Sequence, residues 1–368
     1  MAITRIGNPA LANVREPNFR NIIINGDMSI SQRSTSASSI TSASYNTVDR
    51  WQNYISSLGT WTVSQDTTVP TGQGFAKSLK YDCTTADASP SASDVNILIQ
   101  KFEGQNLQYL KKGTSSAESL TLSFWVRSNK TGTYTCEIFD GDNTRYIGKT
   151  YSISSADTWE KKTITFDGDT TGTLDNDNAS SLNVHFWLGA GSDFTGGTFN
   201  NGTWGAGGNN TRVSSSQVNL ADSTSNEWYV TGVQLEAGTT ASDFEFLPFD
   251  VNRERCYRYY RTLVPLNTEN TGFSMGFYTA NNNGRFAMHL ENPMRTTPTL
   301  DIVTGTDYFK IFTAGGGDDE LNSFSIMANS TERFVIANNT SQASGTGGQA
   351  GYVQSSSNSA YLGLEAEL

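Results

Sequence analysis

Alternating apolar and polar residues recur through the middle of this sequence, and they limit its fold more than any other feature. In SLTLSFWVRS (119–128) every second residue from Leu120 to Val126 is apolar, so an extended chain would have one apolar and one mainly polar face. The alternation returns in TYTCEIF (133–139), SLNVHFWLG (181–189) and WYVTGVQLE (228–236). Turn residues separate these segments, and no helical stripe interrupts them. The pattern predicts a two-sheet antiparallel sandwich of the jelly-roll type.

The chain length of 368 residues exceeds one ordinary domain. Short apolar segments with Asn- and Gly-rich turns restart after Arg261, which predicts a second, smaller β-sandwich-like domain. We therefore predict an all-β chain in three parts: an N-terminal attachment arm (1–19), a jelly-roll domain (20–250) and a distal β domain (251–368). Within the jelly roll, RNIIINGDMSISQ (20–32) predicts the first strand, followed by a Ser/Thr-rich loop.

A cationic and aromatic run, RERCYRYYR (253–261), marks the boundary between the two β parts. Such a run is typical either of a nucleic-acid-binding patch or of arginines stacked on tyrosines at a domain junction. In the second interpretation, a short extended link leads into the run, and the run forms a hinge strand. The net charge of −11 argues against phosphate binding, so the second interpretation is favoured. The predicted junction or interface residues are Arg255, Tyr257, Arg258, Tyr259 and Tyr260.

Other features of the sequence indicate where the protein is made and which partners it is expected to bind. The first residues hold no apolar stretch of signal-peptide length, and no segment approaches transmembrane length. The three cysteines, Cys83, Cys136 and Cys256, do not form a disulfide or zinc pattern, and Cys136 is expected in the core. We expect synthesis in a host cytoplasm, no membrane insertion and no nucleic-acid partner. Abundant Ser, Thr, Asn and Gly are nevertheless typical of an extracellular adhesin. A virion protein that is made in the host cytoplasm and released by lysis would account for both observations.

Four groups of segments carry a family resemblance. They are RNIIINGDMSISQRSTS (20–36) with YNTVDRWQ (45–52), SFWVRSNKTGTY (123–134) with TWEKKTITFDGDTTGT (158–173), YVTGVQLEAGTTASDFEF (229–246) with ERCYRYY (254–260), and NPMRTTPTLDI (292–302) with LGLEAEL (362–368). In this order they resemble the tail-fibre or receptor-binding proteins of tailed bacteriophages, especially marine and cyanobacterial phages. The ordered set spans nearly the whole chain, which makes it more specific than any single segment.

The resemblance implies a carbohydrate-binding-module-like jelly roll and a distal domain in a homotrimeric virion fibre or appendage. Such a structural protein would contact other virion proteins through residues 1–19 and attach to host surface glycans by multivalent, non-covalent binding. Relatives often carry a long shaft before the segment that begins at Arg20, whereas only about twenty residues precede that segment here. A short spike, a capsid decoration or a tip subunit is therefore expected as much as a long fibre. The alternatives are a capsid or neck decoration without a receptor role, and a glycan-cleaving tailspike. Distal loops around 315–320 and 341–358 are further candidates for glycan contact.

Catalytic motifs are not found in the sequence. Only His185 and His289 could serve a hydrolytic triad, and no nucleophile-elbow motif accompanies them. Close carboxylate pairs, such as Asp140 with Asp142, fall in turns, where Asp accepts local backbone hydrogen bonds. Glycosidase carboxylates must instead face each other across a cleft. We expect a protein that is not an enzyme, with no catalytic residues and no cofactor.

The glycan-binding candidates are Trp125, Arg127, His185 and Trp187, which alternation directs away from the core together with Glu137. Aromatic faces stack on sugar rings while charged and amide groups bond to the hydroxyls. The same residues could instead be covered by a neighbouring subunit or domain, and that alternative is favoured.

One loop and one carboxylate complete the candidates. The Gly- and Asn-rich segment 189–216 carries three aromatic residues that either bind a ligand or pin the loop to the sandwich, and pinning is favoured. Asp27 could ligate a structural calcium ion near the first strand, although a role as a turn residue is favoured.

Overall fold

The computed structural model describes residues 19–313 and 317–368, and strands dominate both ranges. Residues 1–18 of the predicted arm and residues 315–316 of a predicted glycan-contacting loop therefore lie outside the described residues. The two α-helices in the described ranges are α1 (Ser192–Thr195) and α2 (Phe249–Tyr257), and the other helical segments are short 3-10 turns. Among the described residues no helix is both long and apolar enough to span a membrane.

The larger part of the chain contains twelve strands arranged as two antiparallel sheets. They are β1 (Ser36–Ile40), β2 (Gln52–Ser56), β3 (Thr60–Asp66), β4 (Ser78–Thr85), β5 (Val95–Glu103), β6 (Leu120–Ser128), β7 (Gly132–Asp140), β8 (Arg145–Ile153), β9 (Glu160–Phe166), β10 (Ser180–Ala190), β11 (Gly205–Ala206) and β12 (Glu227–Ala237). The first sheet has the order β1-β3-β4-β12-β6-β9, and the second has the order β11-β8-β7-β10-β5-β2.

The main core lies between these two sheets. Phe124 of β6 and Phe186 of β10 meet edge to face with ring centroids 5.0 Å apart, and both are fully buried. Leu122 and Val184 belong to the same cluster, as does Cys136, so the prediction of a core cysteine is confirmed. All three cysteines are free and buried. The predicted all-β jelly-roll sandwich is confirmed.

The smaller part has its own sheets and its own core. Its strands are β13 (Tyr260–Val264), β14 (Gly272–Ala280), β15 (Asn283–His289), β16 (Thr299–Val303), β17 (Phe309–Thr313), β18 (Asp318–Leu321), β19 (Ser325–Ile326), β20 (Phe334–Asn339), β21 (Ala350–Ser355) and β22 (Tyr361–Glu365). They form a three-stranded sheet, β13-β22-β16, and a seven-stranded sheet, β18-β17-β21-β14-β15-β20-β19. A separate apolar cluster that includes Phe286, Ile311 and Leu362 holds these sheets together. The smaller β-sandwich-like domain is also confirmed, whereas the exact boundary at residue 250 stays a prediction.

Residues 20–32 do not form the predicted first strand. The backbone N–H of Ile24 donates to the side-chain oxygen of Gln100 at 2.7 Å, so a side chain takes the place of a neighbouring strand. A Cβ at Gly26 would lie 2.1 Å from the carbonyl oxygen of Val233, which explains the close packing of this segment on β12. The first strand is β1, in the segment predicted as a loop.

The predicted extended link and hinge strand contain a helix, α2, which ends at Tyr257 before β13 begins at Tyr260. Pro248 immediately precedes this helix, at a position compatible with a helix start. The interleaved arginines and tyrosines are therefore divided between the end of this helix and the start of β13. Alternation along a single strand does not describe the whole run, although Tyr260 and Arg261 do lie on β13.

Each predicted junction residue makes a specific contact, and those of Arg255, Arg258 and Tyr259 reach the jelly roll. Arg258 donates two hydrogen bonds to the buried Glu103 of β5, both at 2.6 Å, and Tyr259 donates a third. Tyr260 donates to Asp301 at 2.6 Å, and Arg255 donates to the carbonyl oxygen of Asn21 at 3.3 Å. Tyr257 lies against the guanidinium groups of Arg253 and Arg261. These contacts place the run at the junction, while a role between subunits stays a prediction.

The carboxyl-terminal segment forms the most deeply buried ion pair across the junction. Glu367 accepts from Arg50, whose side chain is 1% exposed and whose guanidinium lies 3.4 Å from the centre of the Tyr259 ring. Arg33 approaches the same carboxylate at 3.4 Å. Removing one partner of such a pair leaves the other charge buried and uncompensated.

We expect Glu367→Gln to lower the free energy of unfolding by about 3 kcal/mol or more, because Arg50 would lose its buried counter-charge. The exposed pair between Lys111 and Glu118 gives a matched control. Glu118→Gln should cost less than about 1 kcal/mol. Urea unfolding of both variants measures the difference, and equal losses would contradict a structural role for the buried pair.

Candidate functional site

The four predicted glycan-binding residues lie on two opposite surfaces of the sandwich. Trp125 and Arg127 are on the outer face of the first sheet, because their neighbours Phe124 and Val126 point into the core. His185 and Trp187 are on the outer face of the second sheet by the same alternation. The structure therefore brings together two pairs and does not form one site from all four.

The pair on the first sheet is engaged in local contacts. Arg127 donates to Asp157 at 2.8 Å and to Glu227 at 3.2 Å, and its guanidinium lies over the Tyr229 ring. Trp125 is half-buried on β6 and faces Lys161 of β9 across the sheet. These contacts provide a structural role for Arg127, whereas the prediction of glycan binding there remains untested.

The pair on the second sheet borders a groove of about 340 Å³. Strand register places three rows of side chains across this face. The rows are Tyr54, Ile97, Trp187 and Thr135; Gln52, Ile99, His185 and Glu137; and Lys101, Asn183 and Phe139. The groove thus has an apolar centre and polar residues on both sides, and its volume is in the range typical of ligand sites.

A small apolar cluster forms the floor of the groove. Val95, Ile97 and Ile99 of β5 pack with Trp187 of β10 on the face opposite the main core. Val213 joins them from the chain that follows β10. Between Ser181 and Gly189, strand β10 is buried on both faces. One face packs on the main core between the sheets, and the other packs on the floor of the groove.

One wall of the groove is a covering loop (residues 191–213), and the structure pins this loop to the second sheet. Phe194 packs on Trp187 with ring centroids 5.4 Å apart. Phe199 occupies the space where a Cβ at Gly148 would lie, and Tyr146 of β8 donates to the carbonyl oxygen of Gly208 at 2.7 Å. Pinning was the favoured interpretation of these aromatic residues, and these contacts support it.

A buried polar network joins the covering loop to the floor. Arg212 donates to both oxygens of Glu137, at 2.7 and 2.9 Å. Glu137 also contacts Nδ1 of His185 at 2.8 Å and accepts from Nε1 of Trp187 at 3.1 Å. Since the carboxylate is ionised, Nδ1 of His185 carries the proton and Nε2 is left as an acceptor. A single carboxylate therefore orients three groups at the groove.

The environment fixes the charges of this network. Burial alone would raise the pKa of Glu137, but the Arg212 charge and the hydrogen bond from His185 lower it to about 2. Burial lowers the pKa of His185 below 6.5, and its hydrogen bond with Glu137 offsets only part of that effect. At neutral pH the network holds a carboxylate, a guanidinium and a neutral imidazole. Glu137 has no exposed surface, so it positions its neighbours and does not meet a ligand.

The residues that could contact a ligand are mostly ones that alternation did not single out. Tyr54 is 42% exposed on β2, and Phe139 is half-buried on β7 at the other side of the face. Gln52 and Asn209 add amide groups to the lining. Such an arrangement can stack on a ring and bond to hydroxyl groups.

Asp27 has surroundings that favour the turn interpretation. Its Oδ1 accepts from the Ser29 hydroxyl and from Nδ2 of Asn252, each at 3.0 Å. The Asn252 amide is held in that orientation because its oxygen accepts from the backbone N–H of Asn25. Donors rather than further oxygen ligands therefore surround the carboxylate, which does not fit a calcium ion. The described residues contain no group of three or more His, Cys, Asp or Glu side chains able to hold a metal.

Comparisons with known proteins add little to this picture. No family model matches the chain, and no curated protein matches it. Among solved structures, tailspike protein 4 of bacteriophage CBA120 is 14% identical over 60% of this chain and 22% of its own, with a TM-score of 0.32. This chain thus spans about a fifth of that tailspike.

Two smaller solved structures are also similar. A candidate sugar-binding protein from Bacteroides thetaiotaomicron is 13% identical over 59% of this chain and 99% of its own, with a TM-score of 0.33. A family 30 carbohydrate-binding module is 12% identical over 63% and 93%, with a TM-score of 0.29. At these TM-scores the similarities carry no argument about function. The strands and sheets themselves define the chain as an all-β protein built on a jelly-roll sandwich.

We expect His185 to remain neutral at pH 6.5, because burial disfavours its charged form. The unfolded chain then takes up a proton before the folded chain does, so stability falls as the pH drops below about 6.5. Imidazole ¹⁵N NMR across a pH series gives the midpoint directly, and His289→Gln assigns the remaining signals. A midpoint above 6.5 would show that the network does not hold His185 as described.

Proposed function

We propose that this protein is a virion structural protein, a tail-fibre or appendage subunit of a tailed bacteriophage, that attaches to host surface glycans without cleaving them. The observation that carries the glycan-binding part is the groove on the second sheet. Its apolar floor, exposed Tyr54 and fixed polar groups provide the combination that sugar recognition requires. The ordered phage-like segments support the virion part.

The groove is suited to binding rather than to hydrolysis. None of the residues that line it is Asp or Glu. Glu137 lies beneath the lining with its charge committed to Arg212 and with a pKa of about 2, so it is a poor general acid at neutral pH. Glycoside hydrolysis needs two carboxyl groups on either side of the scissile bond. This lack of paired acids along the groove supports binding without hydrolysis at this site.

Other close carboxylates have structural partners. Asp140 and Asp169 both contact Lys112, whose side chain is 5% exposed, and Arg145 forms a further ion pair with Asp169 at 2.7 Å. These carboxylates connect β7 with the turn that follows β9. Their commitment to a buried lysine favours a stabilising role over acid–base chemistry.

Several copies of the groove on one virion would attach more strongly than a single copy. A single shallow groove gives weak affinity, whereas a homotrimer held on the virion presents several grooves to one surface, which multiplies the apparent affinity. Contact with other virion proteins through residues 1–19 is part of the same proposal. Binding at several points also suits a protein that must adhere before any irreversible step occurs.

We expect Tyr54→Ala to weaken binding to the host surface polysaccharide at least about tenfold, because loss of a stacked aromatic ring costs about 1.5 kcal/mol or more. Biolayer interferometry with immobilised polysaccharide measures this change. Tyr109→Ala serves as the matched control, since Tyr109 is a similarly exposed tyrosine outside the groove. Equal affinity of the Tyr54→Ala variant and the unmodified protein would rule out the groove as the main glycan site.

Incubation with the same polysaccharide should release no reducing ends, because the groove lacks the two carboxyl groups that hydrolysis needs. A reducing-sugar assay and size-exclusion chromatography of the polysaccharide check this expectation. An endoglycanase that cleaves the polysaccharide provides the positive control. Shortening of the polysaccharide by the purified protein would favour a glycan-cleaving tailspike instead.

A further inference from the structure

The outer face of the seven-stranded distal sheet carries an exposed apolar row. Strand register sets its members side by side on five adjacent strands, in the order Phe312, Tyr352, Met275, Ala287 and Ile336. Because side chains alternate along each strand, the residues next to the row point to the other side, where Phe286, Val353 and Ile311 lie in the distal core. The row and the adjoining Phe277 and Phe334 are together called the distal face.

Four large side chains of the distal face are substantially exposed. They are Met275, Tyr352, Phe277 and Phe334, with exposed fractions of 67%, 46%, 42% and 41%. Since a side chain of this size presents roughly 200 Å², together they expose roughly 400 Å² of mainly apolar surface. Monomeric proteins rarely leave a continuous apolar patch of more than a few hundred Å² uncovered. The extent of the distal face therefore indicates that a partner covers it.

The outer face of the first sheet has a different character. Strand register places Ser64, Lys80, Tyr229 and Arg127 in one row there, and both cations of that row pair with Glu227. That row is mainly polar, and its charges are compensated within the chain. Exposed apolar rows are thus a property of the distal face and not of every sheet in this protein.

Opposite charges lie on the two sides of the distal face. At one side, Asp318 of the edge strand β18 is in register with Phe312, and Lys310 approaches its carboxylate only to 4.0 Å. At the other side, Arg285 of β15 is in register with Phe277, and it has neither a hydrogen bond nor an ion pair within the described residues. The acid and the arginine are four strands apart, roughly 19 Å at the usual strand spacing, so they cannot pair within one copy.

A second copy of the chain matches both properties of the distal face. In a cyclic assembly, one half of each face meets the opposite half of the face on the next copy. Asp318 of one copy then approaches Arg285 of the neighbouring copy, and the apolar centre around Met275 faces the symmetry axis. A face that carries both charges on either side of an apolar centre is complementary to itself.

A glycan matches the distal face less well. Two segments predicted to contact glycans, 315–320 and 341–358, contribute residues of β18 and β21 to this sheet. Sugar recognition needs a concave site with several polar groups placed for the hydroxyls. Tyr352 has the only polar side chain in the row, so the row lacks the groups that would orient a sugar.

We propose that the distal face binds a second copy of this chain, with the apolar row buried between copies and Asp318 paired with Arg285 of the neighbouring copy. The inference rests on the homotrimer of the proposed function, and it names the surface that would hold the copies together. A standard interface buries about 800 Å² of each partner, of which somewhat more than half is apolar. The exposed apolar area of the distal face is close to that share.

Met275→Glu tests the apolar part of this contact. The variant would bury an unpaired carboxylate between copies, whereas in a single copy the side chain is exposed enough to keep the charge in water. By size-exclusion chromatography with multi-angle light scattering, we expect the unmodified full chain to be a trimer and Met275→Glu to be a monomer. Leu266→Glu is the matched control, because Leu266 is 44% exposed in a turn outside the distal face, and it should leave the trimer intact. Circular dichroism of each variant confirms that it is folded.

An exchange of charges tests the pairing between copies. Arg285→Glu alone and Asp318→Arg alone should each raise the dissociation constant at least about tenfold, because like charges then meet across the contact. The double variant restores opposite charges and should return to within about threefold of the unmodified protein. Since these side chains are too far apart to pair within one copy, such a recovery arises only between copies. Sedimentation across a range of protein concentrations measures the constants, and a double variant no better than the single ones would overturn the pairing.

The outcomes distinguish this inference from the proposed function. A trimer that persists in Met275→Glu would overturn the role of the distal face and leave the homotrimer standing. Dimers of the unmodified chain that Met275→Glu dissociates would keep the face and overturn the homotrimer. An unmodified chain that stays monomeric would overturn both, and loss of polysaccharide binding in Met275→Glu would then assign the face to a glycan. Glycan binding at the groove is tested separately by Tyr54→Ala.

Discussion

The groove depends on one buried ion pair, between Glu137 of β7 and Arg212 of the covering loop. A carboxylate with no exposed surface is costly unless it is paired and hydrogen-bonded. Arg212 meets that requirement, and to do so the loop must lie down over the second sheet. The same carboxylate orients His185 and Trp187. One electrostatic requirement thus positions the wall, part of the floor and the polar groups of the candidate site.

The sandwich supplies the rigid surface on which this network acts. Because β10 is buried on both faces, it packs on the first sheet with one set of residues and on the apolar floor of the groove with the other. The junction connects this surface to the distal domain through Glu103 and Glu367, two buried carboxylates that accept from arginines. Buried acids paired with arginine therefore occur both under the covering loop and at the domain junction.

Much of the fold could be predicted from the sequence, because period-two alternation reports directly which residues of β6, β7 and β10 face the core. In β12 an irregularity between Thr231 and Gln234 shifts the alternation, so Trp228 and not Tyr229 lies in the core. Alternation could not reveal which sheet a strand joins, so Trp125 and Trp187 were grouped although they lie on opposite surfaces. It also could not find Arg212, which comes from a loop without periodicity. Segment 20–32 was predicted as a strand because its isoleucines favour β structure, but side chains such as Gln100 take its backbone hydrogen bonds. The helix α2 could not be predicted from the sequence, because its cationic and aromatic residues show no clear apolar stripe.

The central claim is that a glycan binds on the outer face of the second sheet. Isoleucine-methyl NMR during titration with a polysaccharide fragment that binds tests it most directly, since isoleucines lie at the groove floor, in the main core and in the distal core. Signals from Ile97 and Ile99 on the groove floor should shift, whereas those from Ile164 of the first sheet and Ile311 of the distal core should stay in place. Shifts confined to Ile164 or Ile311, with Ile97 and Ile99 unchanged, would contradict the claim.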